Sequence, residues 1–168
     1  MDKENKLVGV VMGSDSDLET MQRCLKQLDE FGIAYEVRIL SAHRTPDAAH
    51  EYAATARDRG LKVIIAAAGM SAALAGVTAS RTTLPVIGVP MAGGPLAGVD
   101  AALSTLQMPP GVPVGAMALG QAGATNAAIF AAQILALSDP ALAEKLAAFK
   151  ADQAKKVAQK DKDLQAQR

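Results

Sequence analysis

The stretch LVGVVMGSDSDLE, Leu7 to Glu19, decides the fold. Leu7–Met12 is an apolar run of strand length, and a helical pattern starts at Asp17. A strand feeding a helix through a tight turn is the opening half of a βαβ unit. In α/β proteins phosphates sit at such turns, because a helix N-terminus offers unpaired N–H groups and a positive dipole end. This turn carries two aspartates and no lysine. Ser16-x-x-Glu19 reads as a capping box that starts the helix.

Working outward, the alternation continues. Strand-like runs recur at Ala34–Leu40, Leu61–Ala67, Leu84–Val89 and Val112–Leu119. Helical patterns cover Asp17–Phe31, Pro46–Arg59, Ser71–Ser80, Val99–Leu106, Ala122–Leu137 and Pro140 onward. Strands alternating with helices at this spacing predict a parallel five-stranded sheet, covered on both faces as a three-layer α/β/α sandwich. Gly32 and Gly60 sit where helix C-caps belong. Pro46 and Pro140 suit first helical turns, with Thr45 and Asp139 as N-caps. No linker or repeat divides the chain. The reading is one domain over residues 1–168, with a core at about 6–138 and an extra C-terminal helix and tail at 139–168, frayed from about Lys160.

The chain has 168 residues, enough for a single sizeable core, and a formal net charge of zero. That balance predicts neither nucleic acid nor a membrane surface as partner. The uncharged stretch Val63–Ser80 is too rich in Ala, Gly and Thr, and too broken at Gly69-Met70-Ser71, to span a bilayer. The polar opening MDKENK runs straight into a strand and does not read as a signal peptide. The single cysteine, Cys24, excludes an internal disulfide and suits a reducing cytoplasm. It lies in a helical pattern and reads as packing, not as a nucleophile. Between Val63 and Ser138 only Arg81 and Asp100 carry charge. So long a charge-poor segment predicts that its outer surface is buried too, in a homo-oligomer.

Ligands of open parallel sheets bind at the C-terminal ends of the strands. The loops there are GSDSD (13–17), SAHRTP (41–46), AAGMSAALAG (67–76), PMAGGPLAG (90–98) and GQAGATN (120–126). SAHRTP joins His43, a proton carrier near neutral pH, to Arg44, whose planar fork suits a phosphate. A merely capping His43 is the competing reading; the adjacent arginine and the ligand edge favour function. His50, on the following helix, reads as a surface residue. Ser14 and Ser16, with free N–H groups and Arg44, suit the phosphate. Asp17 suits a ribose diol, and Asp15 reads as a solvated loop residue. Together these loops predict a ribose-phosphate site beside a histidine. MAGGPLAG (91–98) reads either as a flexible lid or as an ordered turn. There is no GxGxxG, no GxxxxGK[ST], no metal-ligand spacing and no GxSxG elbow.

GSDSD, SAHRTP, LPVIGVP, LSTLQMPPGVPV and AGATNAA, in this order, resemble the PurE family of N5-carboxyaminoimidazole ribonucleotide mutases, from about Leu7 to Leu137. The resemblance implies a flavodoxin-like fold, a homo-octamer and a step of de novo purine synthesis. It implies no metal, no nucleotide cofactor and no covalent cofactor. The carbamate of the substrate would leave as carbon dioxide and return to ring carbon 4. His43 matches the proton-transfer residue. Ser14, Ser16 and Arg44 match the phosphate site, and Asp17 matches a ribose contact. Ser41 and Ala42 belong to the same substrate loop. Ala68, Gly69 and Leu74 would wall the carbon dioxide and imidazole pocket.

One loop departs from the pattern. The mutase branch usually has AAHLxG in the third loop, and here Ala73 takes the histidine's place. The branch using free carbon dioxide has an AGRSN-type loop, and Met70 stands where its arginine would be. The other loops follow the mutase. Two further readings are an aminoimidazole ribonucleotide carboxylase using free carbon dioxide and a non-catalytic ribonucleotide-binding module.

Overall fold

Five parallel strands form one sheet in the order β2-β1-β3-β4-β5: β1 Val8–Met12, β2 Tyr35–Ile39, β3 Val63–Ala68, β4 Val86–Pro90 and β5 Gly115–Ala116. The computed structural model describes residues 6–167, so all but the last residue of the polar opening lies outside it. Val8 pairs with Tyr35 on one side and Val63 on the other, and Ile64 pairs with Val86. β1 and β4 are buried along their whole length, and β3 as far as Ala67. Strands covered on both faces must be apolar at every position, which is why they read as unbroken apolar runs.

The helices are α1 Leu18–Phe31, α2 Pro46–Thr55, α3 Leu74–Ala79, α4 Val99–Leu106, α5 Gln121–Ala136 and α6 Pro140–Ala166. From β1 the chain turns one way to β2, then crosses back over β1 to β3 and onward to β4. With right-handed crossovers, that reversal puts α1 on one face and α2 and α3 on the other. On the latter face Tyr52, Ala56, Leu74 and Ala75 pack with Val11, Ile64, Ala66 and Val86. Two strand glycines make room there. A Cβ on Gly9 would collide with the Tyr52 hydroxyl, and one on Gly88 with Thr105 Cγ2. The Tyr52 hydroxyl is buried without a hydrogen-bond partner, and burial raises its pKa.

By contacts the chain divides into two units, one reaching Ala131 and the other running from Ala132. The second holds the end of α5 and all of α6. Asp139 caps α6, accepting from Leu142 N–H at 3.0 Å, with Pro140 in the first turn, as its sequence predicts. Helix continues to Ala166 where a frayed tail was expected. Asp152–Lys156 and Gln159–Asp163 pairs at i,i+4 brace that region.

Most elements are a residue or two shorter than their sequence pattern, and β5, α2 and α3 fall well short of it. β5 has two paired residues, Gly115 and Ala116, and ahead of them Pro113 cannot donate to a ladder. α2 stops at Thr55, and residues 56–60 close in turns ending at Gly60 (φ 94°). α3 starts three residues late, at Leu74, because Met70–Ala73 is folded into tight turns. Gly32 is the left-handed C-cap of α1 (φ 72°), as expected. Thr45, expected as an N-cap, makes no cap bond. Its Oγ1 instead accepts from Ser41 N–H at 3.0 Å and donates to Ser41 O, closing the loop before α2.

Candidate active site

The loop after β1 is organised by its own side chains. A 3₁₀ turn at Asp15–Asp17 precedes α1. Ser14 Oγ accepts from Ser16 N–H at 3.3 Å, and Asp17 Oδ2 accepts from Ser14 N–H at 3.2 Å. The reciprocal cap therefore lies at Ser14 and Asp17, two residues before the Ser16–Glu19 box that the sequence suggested. Asp15 Oδ1 accepts from Ser14 Oγ and Ser16 N–H, both at 3.1 Å. The aspartates thus occupy amides that were expected to stand free for an anion. What the turn still offers is a pair of exchangeable hydroxyls, with Ser16 Oγ donating to Ser14 Oγ at 2.9 Å. Asp17 is buried. Burial raises its pKa above the ordinary carboxylate value; the Ser14 N–H opposes this and the Asp15 charge adds to it.

The loop after β2 is tied across to the first. Arg44 N–H and Nε–H donate to Ser41 Oγ, at 3.1 and 3.4 Å. Arg44 Nη2 donates to Gly13 O at 3.1 Å, joining residues 31 apart. The guanidinium is therefore tied to the start of the Gly13–Asp17 loop.

Gly13 N–H bonds Ala67 O, and Met91 N–H bonds Ala68 O, each at 2.9 Å. These bonds draw the β3 and β4 ends to the same edge. Between the four loops lies an open cavity of about 730 Å³. Ser14, Ser16, Asp17, Ser41, Ala42, His43, Arg44, Ala68, Gly69 and Leu74, the expected site residues, all line it. Asp15 and His50 do not line it. Asp15 is exposed, and half-buried His50 meets Arg81 Nη2 through Nδ1 at 3.2 Å. The fifth loop lies behind the fourth: Gly120 N–H bonds Pro90 O at 2.9 Å.

The lining also includes Gly13, Thr20, Met70, Ser71, Ala73 and Met91–Gly94, which lie outside the expected site residues although all but Thr20 belong to the ligand-edge loops. Thr20 had a signal: it follows Asp17 by three residues and so shares its helix face. Ala73 has helical dihedrals and makes no side-chain cap bond. Cys24 is fully buried, and burial pushes its thiol pKa up to about 12, so it is a packing residue. Among the described residues no group of three or more His, Cys, Asp or Glu is arranged to hold a metal ion. No described helix is long and apolar enough to cross a membrane.

The cavity sits at the switch point, where the strand order reverses between β1 and β3. Its ionisable wall, Asp17, His43 and Arg44, comes from the β1 and β2 loops. The β3 and β4 loops supply Ala, Gly, Met and Leu, with Ser71 the one hydroxyl. Fold and site define a flavodoxin-like α/β protein with an ionisable half and an apolar half in one crevice. The chain belongs to the family described as AIR carboxylase, which matches residues 7–156. It is 57% identical over 140 residues to N5-carboxyaminoimidazole ribonucleotide mutase of Bacillus subtilis, covering 83% of this chain and 86% of that one. The mutase of Pyrococcus horikoshii is 49% identical over 165 residues, covering 98% and 92%. The crystal structure of Treponema denticola PurE superposes with a TM-score of 0.84 at 31% identity, covering 94% of this chain and 98% of that one.

Proposed function

We propose that this protein interconverts N5-carboxyaminoimidazole ribonucleotide and 4-carboxyaminoimidazole ribonucleotide in purine biosynthesis. The observation that carries the reading is the divided crevice, with His43 and Arg44 adjacent in one loop. Arg44, Ser14 and Ser16 hold the phosphate, and Asp17 accepts from the ribose hydroxyls. Ser41 fixes the arginine, and Ala42 lies beside it. Ala68, Gly69 and Leu74 wall the imidazole.

The N–C bond of the carbamate breaks, and its electron pair returns to the exocyclic nitrogen. His43 in its protonated form donates a proton there, and carbon dioxide is released into the apolar half. Ring carbon 4, made nucleophilic by the conjugated amine, attacks carbon dioxide and forms the new C–C bond. His43, now neutral, removes the carbon 4 proton and returns to its starting state. The atoms balance without oxidant, nucleotide or metal. Few groups in the apolar half compete for the carbon dioxide.

The test is an ultraviolet assay of the purified protein with each carboxylated ribonucleotide. Interconversion without ATP or added bicarbonate is the expected result. Turnover only between the 4-carboxylated compound and aminoimidazole ribonucleotide plus carbon dioxide would make it a carboxylase. Binding without turnover would leave the binding-module reading.

Asp17 yields a separable prediction. Its raised folded-state pKa means that its protonated form favours the fold. That stabilisation is complete below the ordinary carboxylate pKa and is lost as pH rises through the elevated value. At neutral pH the buried charge is a standing cost. Asp17→Asn removes the charge and keeps an oxygen for Ser14 N–H. The variant's thermal midpoint at neutral pH equals or exceeds wild type, and ribonucleotide affinity falls roughly tenfold. A less stable variant with unchanged affinity would contradict both assignments.

We further propose that the protein is a cytoplasmic homo-octamer. Leu96, Val99, Leu103 and Leu106, spaced 3, 4 and 3 apart on and just before α4, are each more than half exposed. They form an apolar stripe within the charge-poor segment, the kind of face that subunits cover. Leu103→Glu yields smaller species in analytical ultracentrifugation; an unchanged assembly would remove α4 from the interface.

A further inference from the structure

Met70 is a large apolar side chain, 58% exposed, on the rim of the cavity. Its backbone lies in the left-handed region at φ 56°, where a residue with a Cβ is disfavoured. Glycine would adopt that conformation freely. Two tight turns hold it: Ala72 N–H bonds Met70 O at 2.8 Å and Ala73 N–H bonds Ser71 O at 2.7 Å. In the open crevice the thioether chain recovers little of this strain through packing, because most of it faces solvent.

Its surroundings give the side chain a place to go. Across the mouth, a Cβ on Gly94 would stand 3.4 Å from Met70 Cγ. At Gly93 a Cβ would have nothing within 4 Å. The methionine thus reaches from the β3–α3 loop to Gly94 after β4, with free space beside it at Gly93. An unbranched thioether adapts its shape to what it covers.

We infer that Met70 is the gate of the apolar half: over a bound ribonucleotide its side chain closes onto Gly93 and Gly94, keeping water out and the released carbon dioxide in. The inference rests on the mutase reading above. It makes Met70 a determinant of how the reaction partitions, distinct from the groups that bind phosphate or move protons.

The experiment uses carboxyl-labelled N5-carboxyaminoimidazole ribonucleotide in excess unlabelled bicarbonate, with wild type, Met70→Gly and Met70→Leu. The expected wild-type result is label retained in the 4-carboxylated product. Met70→Gly, with a thermal midpoint at or above wild type, loses label to solution several-fold more often and releases aminoimidazole ribonucleotide. Met70→Leu retains most of the label. Equal retention in wild type and Met70→Gly overturns the gate and leaves the mutase reading intact. Loss of stability and turnover in both variants would show a purely structural residue and also overturn it. A wild type that turns over neither carboxylated compound overturns the proposed function and the gate with it.

Discussion

His43→Asn lowers interconversion of the two carboxylated ribonucleotides by roughly 10²–10⁴-fold, the range for losing a positioned proton carrier. Asparagine keeps a similar size and some hydrogen bonding but cannot cycle a proton. His43 is the one histidine among the residues lining the cavity, and its ionisable companions are a carboxylate and a guanidinium. No other lining side chain is an imidazole that could deliver and then remove the same proton. Because Ser14, Ser16 and Arg44 are untouched, calorimetry finds ligand affinity close to wild type. Turnover within tenfold of wild type would sink the assignment. Lost binding would instead make His43 a recognition residue.

Arg44→Ala has the second largest effect, and it falls on binding. Losing a charge-assisted contact worth about 1.5–3 kcal/mol weakens ligand binding by about 10–150-fold. The guanidinium also ties the loop to Gly13 O at 3.1 Å, so the variant loses a support of the site as well as a ligand contact. KM therefore rises more than kcat falls. Arg44→Lys restores charge but not the planar fork, and recovers affinity only in part. An Arg44→Ala variant with wild-type KM would place the phosphate elsewhere.

The central strands were legible because a strand buried on both faces has no polar position to blur its pattern. β5 was overestimated because Val112, Val114 and the small residues after them read as strand, while the neighbouring prolines withhold donors. The cap at Ser14 and Asp17 was read two residues late, because Ser14 and Ser16 both precede an acidic residue by three positions. All ten expected site residues line the cavity, since the loops that follow β1, β2 and β3 meet at one edge of the sheet. Met70 and Ala73 stood out in the sequence only as departures from the family pattern, and their place in the cavity wall follows from the fold of the third loop. The left-handed backbone at Met70 becomes visible only once the chain is folded.

The division of the crevice between the two sides of the switch point bears on how this protein can change over generations. In the proposed function, recognition of the sugar phosphate falls to residues before 47, whereas the chamber around the reacting carbon is lined by residues after 67. A mutation in the later segment can reshape the chamber while the earlier one goes on anchoring the same handle. Ala73 and Met70 both lie in that later segment. Lineages built on this scaffold are therefore free to trial new chambers one substitution at a time, without first losing their grip on the ribonucleotide.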